Sequence, residues 1–292
     1  MDSYLPIYAG KPEDVTWVGF GSGAGTNLRE CARVIPPAAL LTDKPSAGLL
    51  SLNIFADTPK IVLNGYRSCG SWVQARGDPE REAEYGRRSV QFNTDILSEL
   101  RSFEERSGRH IDLIVLGGYM RLILDPLLGG FPDMIVNVHP SYLPLTGRTN
   151  GENIHRAYTG DDAVFDALMD GARSTRSSVI IVDGKADHGE ILTQGPELLV
   201  DDEGLRIFSQ TCSSSFMHGP VTEAISEEQR AYADGHQSRQ KEASDWPALT
   251  TALRMIANGR IALGLNKELF GEWRYVFVDG KRMPYTGFEV KP

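Results

Sequence analysis

Short apolar runs alternate with amphipathic stretches through the first half of the chain. Residues 16–22 (TWVGFGS), 38–43 (AALLTD) and 60–64 (KIVLN) each read as a buried strand. Between them, residues 27–34 carry a helical pattern that Pro36 and Pro37 stop, and residues 47–55 carry a second one. Residues 67–79 are rich in glycine and polar side chains and are predicted to form a loop. A long helix is predicted over 81–106, with Ile96, Leu97, Leu100 and Phe103 at helical spacing. Residues 113–117 (LIVLG) and 134–139 (MIVNVH) read as two more buried strands. Strands separated by helices in this rhythm predict βαβ units, hence an α/β fold with a Rossmann-like, mostly parallel sheet flanked by helices.

The rhythm changes further on. Residues 158–170 read as a helix, and 178–183 and 191–200 as strands, expected to be antiparallel at the sheet edge. Residues 217–245 are polar and charge-rich, which predicts a surface insertion able to cover a site. An amphipathic helix over 247–262 and a terminal strand over 275–279 complete the pattern. The expected organisation is one domain over 1–292. Its 14–110 half would carry an anion-binding turn, and its 111–292 half the remaining chemistry.

Composition narrows the partners. The 292 residues hold 30 Lys plus Arg against 39 Asp plus Glu, a formal charge of −9, which argues against nucleic acid as the main partner. A local basic pocket for a small anion stays compatible with that balance. Cys31, Cys69 and Cys212 are far apart and form no C-x-x-C pair, and the six histidines form no paired ligand motif, so no metal is expected. The opening MDSYLPIYAG does not read as a signal peptide, and no apolar run approaches the ~20 residues that span a bilayer. The cytoplasm is the expected location, without a membrane partner. Oligomeric state, a homodimer included, stays open.

The first strand leaves through Gly19-Phe-Gly-Ser-Gly-Ala-Gly-Thr-Asn-Leu28. Such a turn lets backbone N–H groups approach an anion at a helix N-terminus. A Walker A loop is excluded, because Gly25-Thr26-Asn27 lacks the lysine. Three readings remain: a dinucleotide fold using Gly19, Gly21, Ala24 and Asp43, a monophosphate loop at Gly25, Thr26 and Asn27, and a tight turn that binds nothing. A second signal is Asn137-Val-His-Pro-Ser-Tyr-Leu-Pro144. Asn137 and His139 are two apart at a strand end and share one side, where an amide and an imidazole could hold the oxyanion of a tetrahedral intermediate. Asp187, after another strand, is the candidate partner of the imidazole. The same residues could instead cap a strand end structurally.

That segment resembles the N-[IV]-H-P-S-x-L-P signature of the folate-dependent formyltransferases, and Asp187-His-Gly-Glu-Ile-Leu192 is similar to their D-x-G-x-I-L segment. Within them the chain is most similar to the branch that formylates glycinamide ribonucleotide in purine synthesis. Gly25-Thr-Asn-Leu28, the run LIVLGGYMRLI ending at Ile123, and Val278-Asp-Gly-Lys-Arg-Met-Pro284 carry that likeness. The resemblance implies that His139 is acid–base and electrophile, that Asn137 shares the formyl oxygen and that Asp187 supports the imidazolium. It implies that Gly25, Thr26 and Asn27 hold a phosphate. Arg81, Met120, Arg121, Leu122, Ile123, Asp183, Gly184, Lys185 and Ala186 would contact the folate, and Glu242 the acceptor amine. The co-substrate would be 10-formyltetrahydrofolate and the acceptor glycinamide ribonucleotide, without a metal.

The chain departs from that family after Pro144, where a glycine and closely spaced histidines are usual, and at Ile180, where relatives often carry His. These departures and the 217–245 insertion bear on the acceptor, so an amino-sugar nucleotide is an alternative. A methionyl-tRNA formyltransferase would add a basic β-barrel. A deformylase would carry His-His in place of His139-Pro140. An NAD-dependent enzyme and a binding protein that kept the fold are the rivals from other classes. Bland readings serve the rest: Trp17, Trp72, Trp246 and Trp273 as packing residues, Cys31 as core-facing, His188 as a solvated loop residue, and 104–106 as a solvated helix end.

Overall fold

The computed structural model describes residues 3–149, 153–209 and 225–291; Cys212 and the first part of the expected insertion, 217–224, lie outside them. In chain order the first elements are β1 (Tyr4–Pro6), β2 (Trp17–Phe20), α1 (Thr26–Val34), β3 (Ala39–Thr42) and β4 (Lys60–Val62). They are followed by α2 (Gly65–Cys69), α3 (Trp72–Ala75), α4 (Pro79–Ser107), β5 (Leu113–Leu116), α5 (Leu127–Gly130) and β6 (Ile135–His139). A small hairpin, β7 (Thr146–Thr149) and β8 (Asn153–Arg156), leads to α6 (Ala163–Met169), β9 (Ser174–Thr175), β10 (Ser178–Ile181), β11 (Ile191–Gln194) and β12 (Leu198–Leu199). The remainder is α7 (Asp202–Phe208), α8 (Glu227–Gln240), α9 (Trp246–Ala257), β13 (Ile261–Leu269), β14 (Trp273–Val278), β15 (Lys281–Arg282) and β16 (Phe288–Glu289).

Eight strands form the main sheet in the order β16-β11-β10-β6-β5-β2-β3-β4. β6, β5, β2, β3 and β4 are parallel. β10 runs antiparallel to both β6 and β11. This is the Rossmann-like sheet with an antiparallel edge that the sequence predicts. β2, β3 and β5 are buried along their whole length, so alternate residues feed opposite cores. Trp17, Leu40 and Val115 join α1 and α9 on one face. Val18, Phe20, Ile114 and Leu116 meet Phe92, Ile96 and Leu100 of α4 on the other. The chain builds β2, β3 and β4 outward in one direction, then returns to place β5 on the other side of β2. A crevice therefore opens where β2 and β5 end, the usual ligand position in such sheets.

Several expected elements take another form. The predicted loop at 67–79 contains α2 and α3, two short helices against α4. The predicted helix at 47–55 is two 3-10 turns, Gly48–Ser51 and Asn53–Phe55. The 158–170 helix shrinks to α6, because Tyr158 and Gly160 have φ of 53° and 91°, outside helical space. The 191–200 strand breaks at Gly195-Pro196, since proline has no N–H for the ladder; β12 pairs with β9 instead. The described part of 217–245 is mostly α8, begun by a capping box of Ser226 and Gln229 and joined to α9 through the π turn Lys241–Asp245. The predicted 247–262 helix stops at Ala257, and β13 begins within its last residues. β1, β13, β14 and β15 then form a second, antiparallel sheet.

The side chains given bland readings divide in the same way. Trp17, Trp273 and Cys31 are buried, whereas Trp72 is exposed. Glu104 is not solvated: it accepts the Ile111 N–H at 2.7 Å and pairs with Arg101 and His110.

His236 of α8 is buried against Thr175, with Nε2 2.8 Å from Oγ1. Burial, aided by the Arg239 charge, pushes the imidazole down to about 4. The unfolded chain therefore binds the extra proton first as pH falls. Stability should drop between about pH 6.5 and 4, by up to about 3 kcal/mol from this residue. Urea midpoints of wild type and His236→Gln at pH 7 and 5 check it: the variant should lose less on acidification.

Candidate active site

The crevice is a cleft of about 500 Å³ lined by the turn after β2, the segment after β5, the end of β6, the loop after β10 and the turn before α9. Asn137 and His139 line it from β6, two residues apart and so on one side of the strand. His139 is 5% exposed. Its Nδ1 lies 3.3 Å from Asp187 Oδ1, and its Nε2 lies 2.8 Å from the Tyr158 carbonyl oxygen. Both ring nitrogens thus face acceptors, and each can present an N–H. Asp187 adopts φ of 50°, and its Oδ2 accepts the Gly160 N–H at 2.9 Å.

The glycine-rich turn lines the same cleft. Gly25 is the N-cap of α1 with φ of 71°, and a Cβ there would sit 2.4 Å from Leu49 Cβ. Only glycine fits both conditions. Thr26 and Asn27 open the helix, so this side of the cleft receives a helix N-terminus. Asn27 Nδ2 donates to Asp245 Oδ2 at 3.3 Å, and Ser177 Oγ donates to Asp245 Oδ1 at 2.5 Å. Burial pushes the Asp245 carboxyl up, against the Ser177 and Asn27 hydrogen bonds and the Lys241 and His139 charges. Lys44 and Lys241 also line the cleft.

Met120, Arg121, Leu122 and Ile123 form a third wall, with Met120 and Leu122 presenting exposed apolar surface. Arg121 braces that wall: its Nε donates to Asp43 Oδ2 at 2.8 Å. Asp43 Oδ1 accepts from Ser22 Oγ at 2.5 Å, and Ser22 Oγ accepts the Met120 N–H at 3.0 Å. Both oxygens of Asp43 are engaged within the protein, which removes the ribose-binding acid that a dinucleotide reading needs.

A family model described as formyl transferase matches residues 38–204, more than half of the chain. The chain belongs to the formyl transferase family. Formyl transferase relatives include the phosphoribosylglycinamide formyltransferase of Bacillus subtilis, 37% identical over 188 residues, which are 60% of this chain and 75% of the relative. Among solved structures, the phosphoribosylglycinamide formyltransferase of Coxiella burnetii shares the fold at 19% identity and TM-score 0.62, covering 95% of this chain and 99% of that one. A formyltetrahydrofolate deformylase from Pseudomonas syringae also shares it, at 15% identity and TM-score 0.53, covering 92% and 66% respectively. The fold of this family is thus common to formyl transfer and deformylation, and the acceptor must be argued from side chains.

Against the family motifs, the structure gathers Gly25, Thr26, Asn27, Met120, Arg121, Leu122, Ile123, Asn137, His139, Gly184, Lys185, Ala186 and Asp187 around one cleft. Three candidates fall outside its lining. Arg81 is exposed on the first turn of α4 and pairs with Asp78 at 3.3 Å. Glu242 is exposed, and its neighbours Lys241 and Asp245 take the wall instead. Asp183 accepts from His188 Nδ1 at 2.6 Å. His188 is therefore held rather than solvated, with its ring 5.0 Å from that of Trp273. Sequence reasoning missed Lys44, Lys241, Asp245 and the Tyr158 and Gly160 backbone groups. For Asp245 a signal existed, an acid one residue before the Trp-Pro that starts a helix, but its meeting with Asn27 spans 218 positions.

Proposed function

We propose that the chain transfers the formyl group of 10-formyltetrahydrofolate to the amine of glycinamide ribonucleotide, as the names of its relatives suggest. The observation that carries this is the meeting of two devices in one cleft: an imidazole–carboxylate pair beside an amide, and a glycine-capped helix N-terminus. The first suits an acyl-transfer centre and the second an acceptor phosphate.

In this reading the acceptor amine attacks the formyl carbon, charge grows on the formyl oxygen, and the tetrahedral intermediate then collapses by breaking the bond from that carbon to the folate nitrogen. Asn137 Nδ2 and a His139 N–H donate to that oxygen. In the structure the acceptor at Nε2 is the Tyr158 carbonyl, and a formyl carbonyl offers the same acceptor chemistry in its place. The amine then loses a proton while the folate nitrogen gains one, and the His139–Asp187 pair moves it. Met120 and Leu122 provide apolar surface for the folate ring, beside Gly184, Lys185 and Ala186. Lys44 and Lys241 add positive charge to the cleft that the phosphate would enter. Arg81, Asp183 and Glu242 have no part in this scheme. We place the enzyme in the cytoplasm, working on small molecules rather than nucleic acid; no described helix is long and apolar enough to cross a membrane.

A formyl-transfer assay that follows tetrahydrofolate release tests the reading. Glycinamide ribonucleotide, an amino-sugar nucleotide and water alone are the arms. Transfer to glycinamide ribonucleotide should dominate; release without an acceptor would mean deformylation, and preference for the amino sugar would move the acceptor. Asn27→Ala should raise the KM of the acceptor about 10–100-fold, the worth of a hydrogen bond to a charged group, and leave the folate KM within about twofold. Equal weakening of both substrates would reject a phosphate role for this turn.

A further inference from the structure

Arg156 ends β8, in the stretch where the family resemblance breaks off after Pro144. It is 6% exposed, yet it makes no ion pair among the described residues. Its Nη1 donates to the backbone carbonyl of Asp187 at 2.8 Å, and its Nε donates to Tyr285 Oη at 3.0 Å. The guanidinium lies over the Trp273 ring at 4.9 Å and near the Tyr285 ring at 5.6 Å. Burying a guanidinium is expensive unless its hydrogen bonds and surroundings compensate, and an apolar side chain of similar reach would fill the space at less cost. What an apolar residue cannot do is hold a carbonyl.

The carbonyl in question belongs to the residue whose carboxylate faces His139, and that residue has φ of 50°, rare for a non-glycine. The same return segment supplies two more contacts to the pair: the Gly160 N–H to Asp187 Oδ2 and the Tyr158 carbonyl to His139 Nε2. Three elements far apart in sequence therefore meet at Arg156: the β7–β8 hairpin, the loop after β10 and the C-terminal segment with Trp273 and Tyr285. We propose that Arg156 is the positioning residue of the His139–Asp187 pair, locking the Asp187 peptide so that its carboxylate stays aimed at the imidazole. It does not line the cleft and touches no reacting atom. The proposal rests on the reading of His139 and Asp187 as the proton-moving pair.

The test uses the full chain and two independent readouts. The first is the titration of the His139 ring by NMR, which needs no substrate. Losing a well-placed Asp187 carboxylate lowers its midpoint, whereas losing a neighbouring positive charge raises it. Arg156→Met should therefore shift the midpoint down, in the direction of Asp187→Asn; an upward shift, or none, would show a spectator charge and overturn the proposal. The second is steady-state kinetics. Arg156→Met should lower kcat about 10–100-fold, the cost of about 1 Å of misplacement, with both KM values within about twofold. In the Asp187→Asn background the same substitution should cost almost nothing further, while an equal cost in both backgrounds would mark a general packing role. Arg156→Lys keeps the charge without the two-pronged fork and should resemble Arg156→Met in both readouts. Should Arg156→Met not fold, Tyr285→Phe removes one anchor of the guanidinium and should move both readouts the same way by less. A wild type without formyl transfer would reject the proposed function, and the NMR result would still decide the positioning.

Discussion

His139→Ala should lower kcat by about 10²–10⁴-fold while leaving the fold in place. The ring faces the Asp187 carboxylate through Nδ1 and a carbonyl acceptor through Nε2, the place a developing oxyanion would take in the proposed mechanism. Alanine removes both functions at once. The fold should survive because His139 ends β6 at the wall of an open cleft, so its loss widens that cleft rather than leaving an enclosed apolar void. Circular dichroism and the thermal midpoint check the fold, and single-turnover formyl transfer checks the chemistry. Turnover within tenfold of wild type in a folded variant would remove His139 from the mechanism.

Asp43→Ala should destabilise the protein by about 3–5 kcal/mol, the range for removing one partner of a buried ion pair. Asp43 is 2% exposed and is the acceptor for both Arg121 Nε and Ser22 Oγ. Without it, the guanidinium is left half-buried under Phe92 with no anion, and the Ser22 hydroxyl loses its acceptor. Ser22 also receives the Met120 N–H, so the damage should spread to the wall at 120–123 and raise the folate KM. Urea denaturation measures the first effect and folate kinetics the second. A loss under 1 kcal/mol would show that the Asp43–Arg121 pair is dispensable. Binding of NADH by the wild type, seen by fluorescence, would reopen the role of Asp43 as a ribose acid.

The core strands were readable because a strand buried on both faces must be a near-continuous apolar run, as in residues 17–20 and 113–116. Of the second sheet only β14 was, as the strand expected over 275–279. Beyond Leu263, β13 runs along the surface as Leu-Asn-Lys-Glu, without the period that marks a half-buried strand. α2 and α3 were hidden by their length, since four or five residues give too little periodicity to detect. The cleft residues followed the same division. Asn137 and His139 are set by strand alternation and could be placed from spacing alone. Glu242 could not, because the π turn at Lys241–Asp245 widens the helix there and changes which side chains face inward. Arg156 was out of reach for another reason: its partners lie 31 and 129 positions away.

The cleft draws its two sets of groups from different parts of the chain, and this division has an evolutionary corollary. The groups that would handle the one-carbon unit are on β6, within the sheet, and on the loop between β10 and β11. Those that would meet the acceptor sit on the first turn of α1 and the joint between α8 and α9. Drift in the latter can retarget the enzyme to a different nucleophile while its reactive machinery stays intact, which gives a lineage room to diversify without passing through an inactive ancestor.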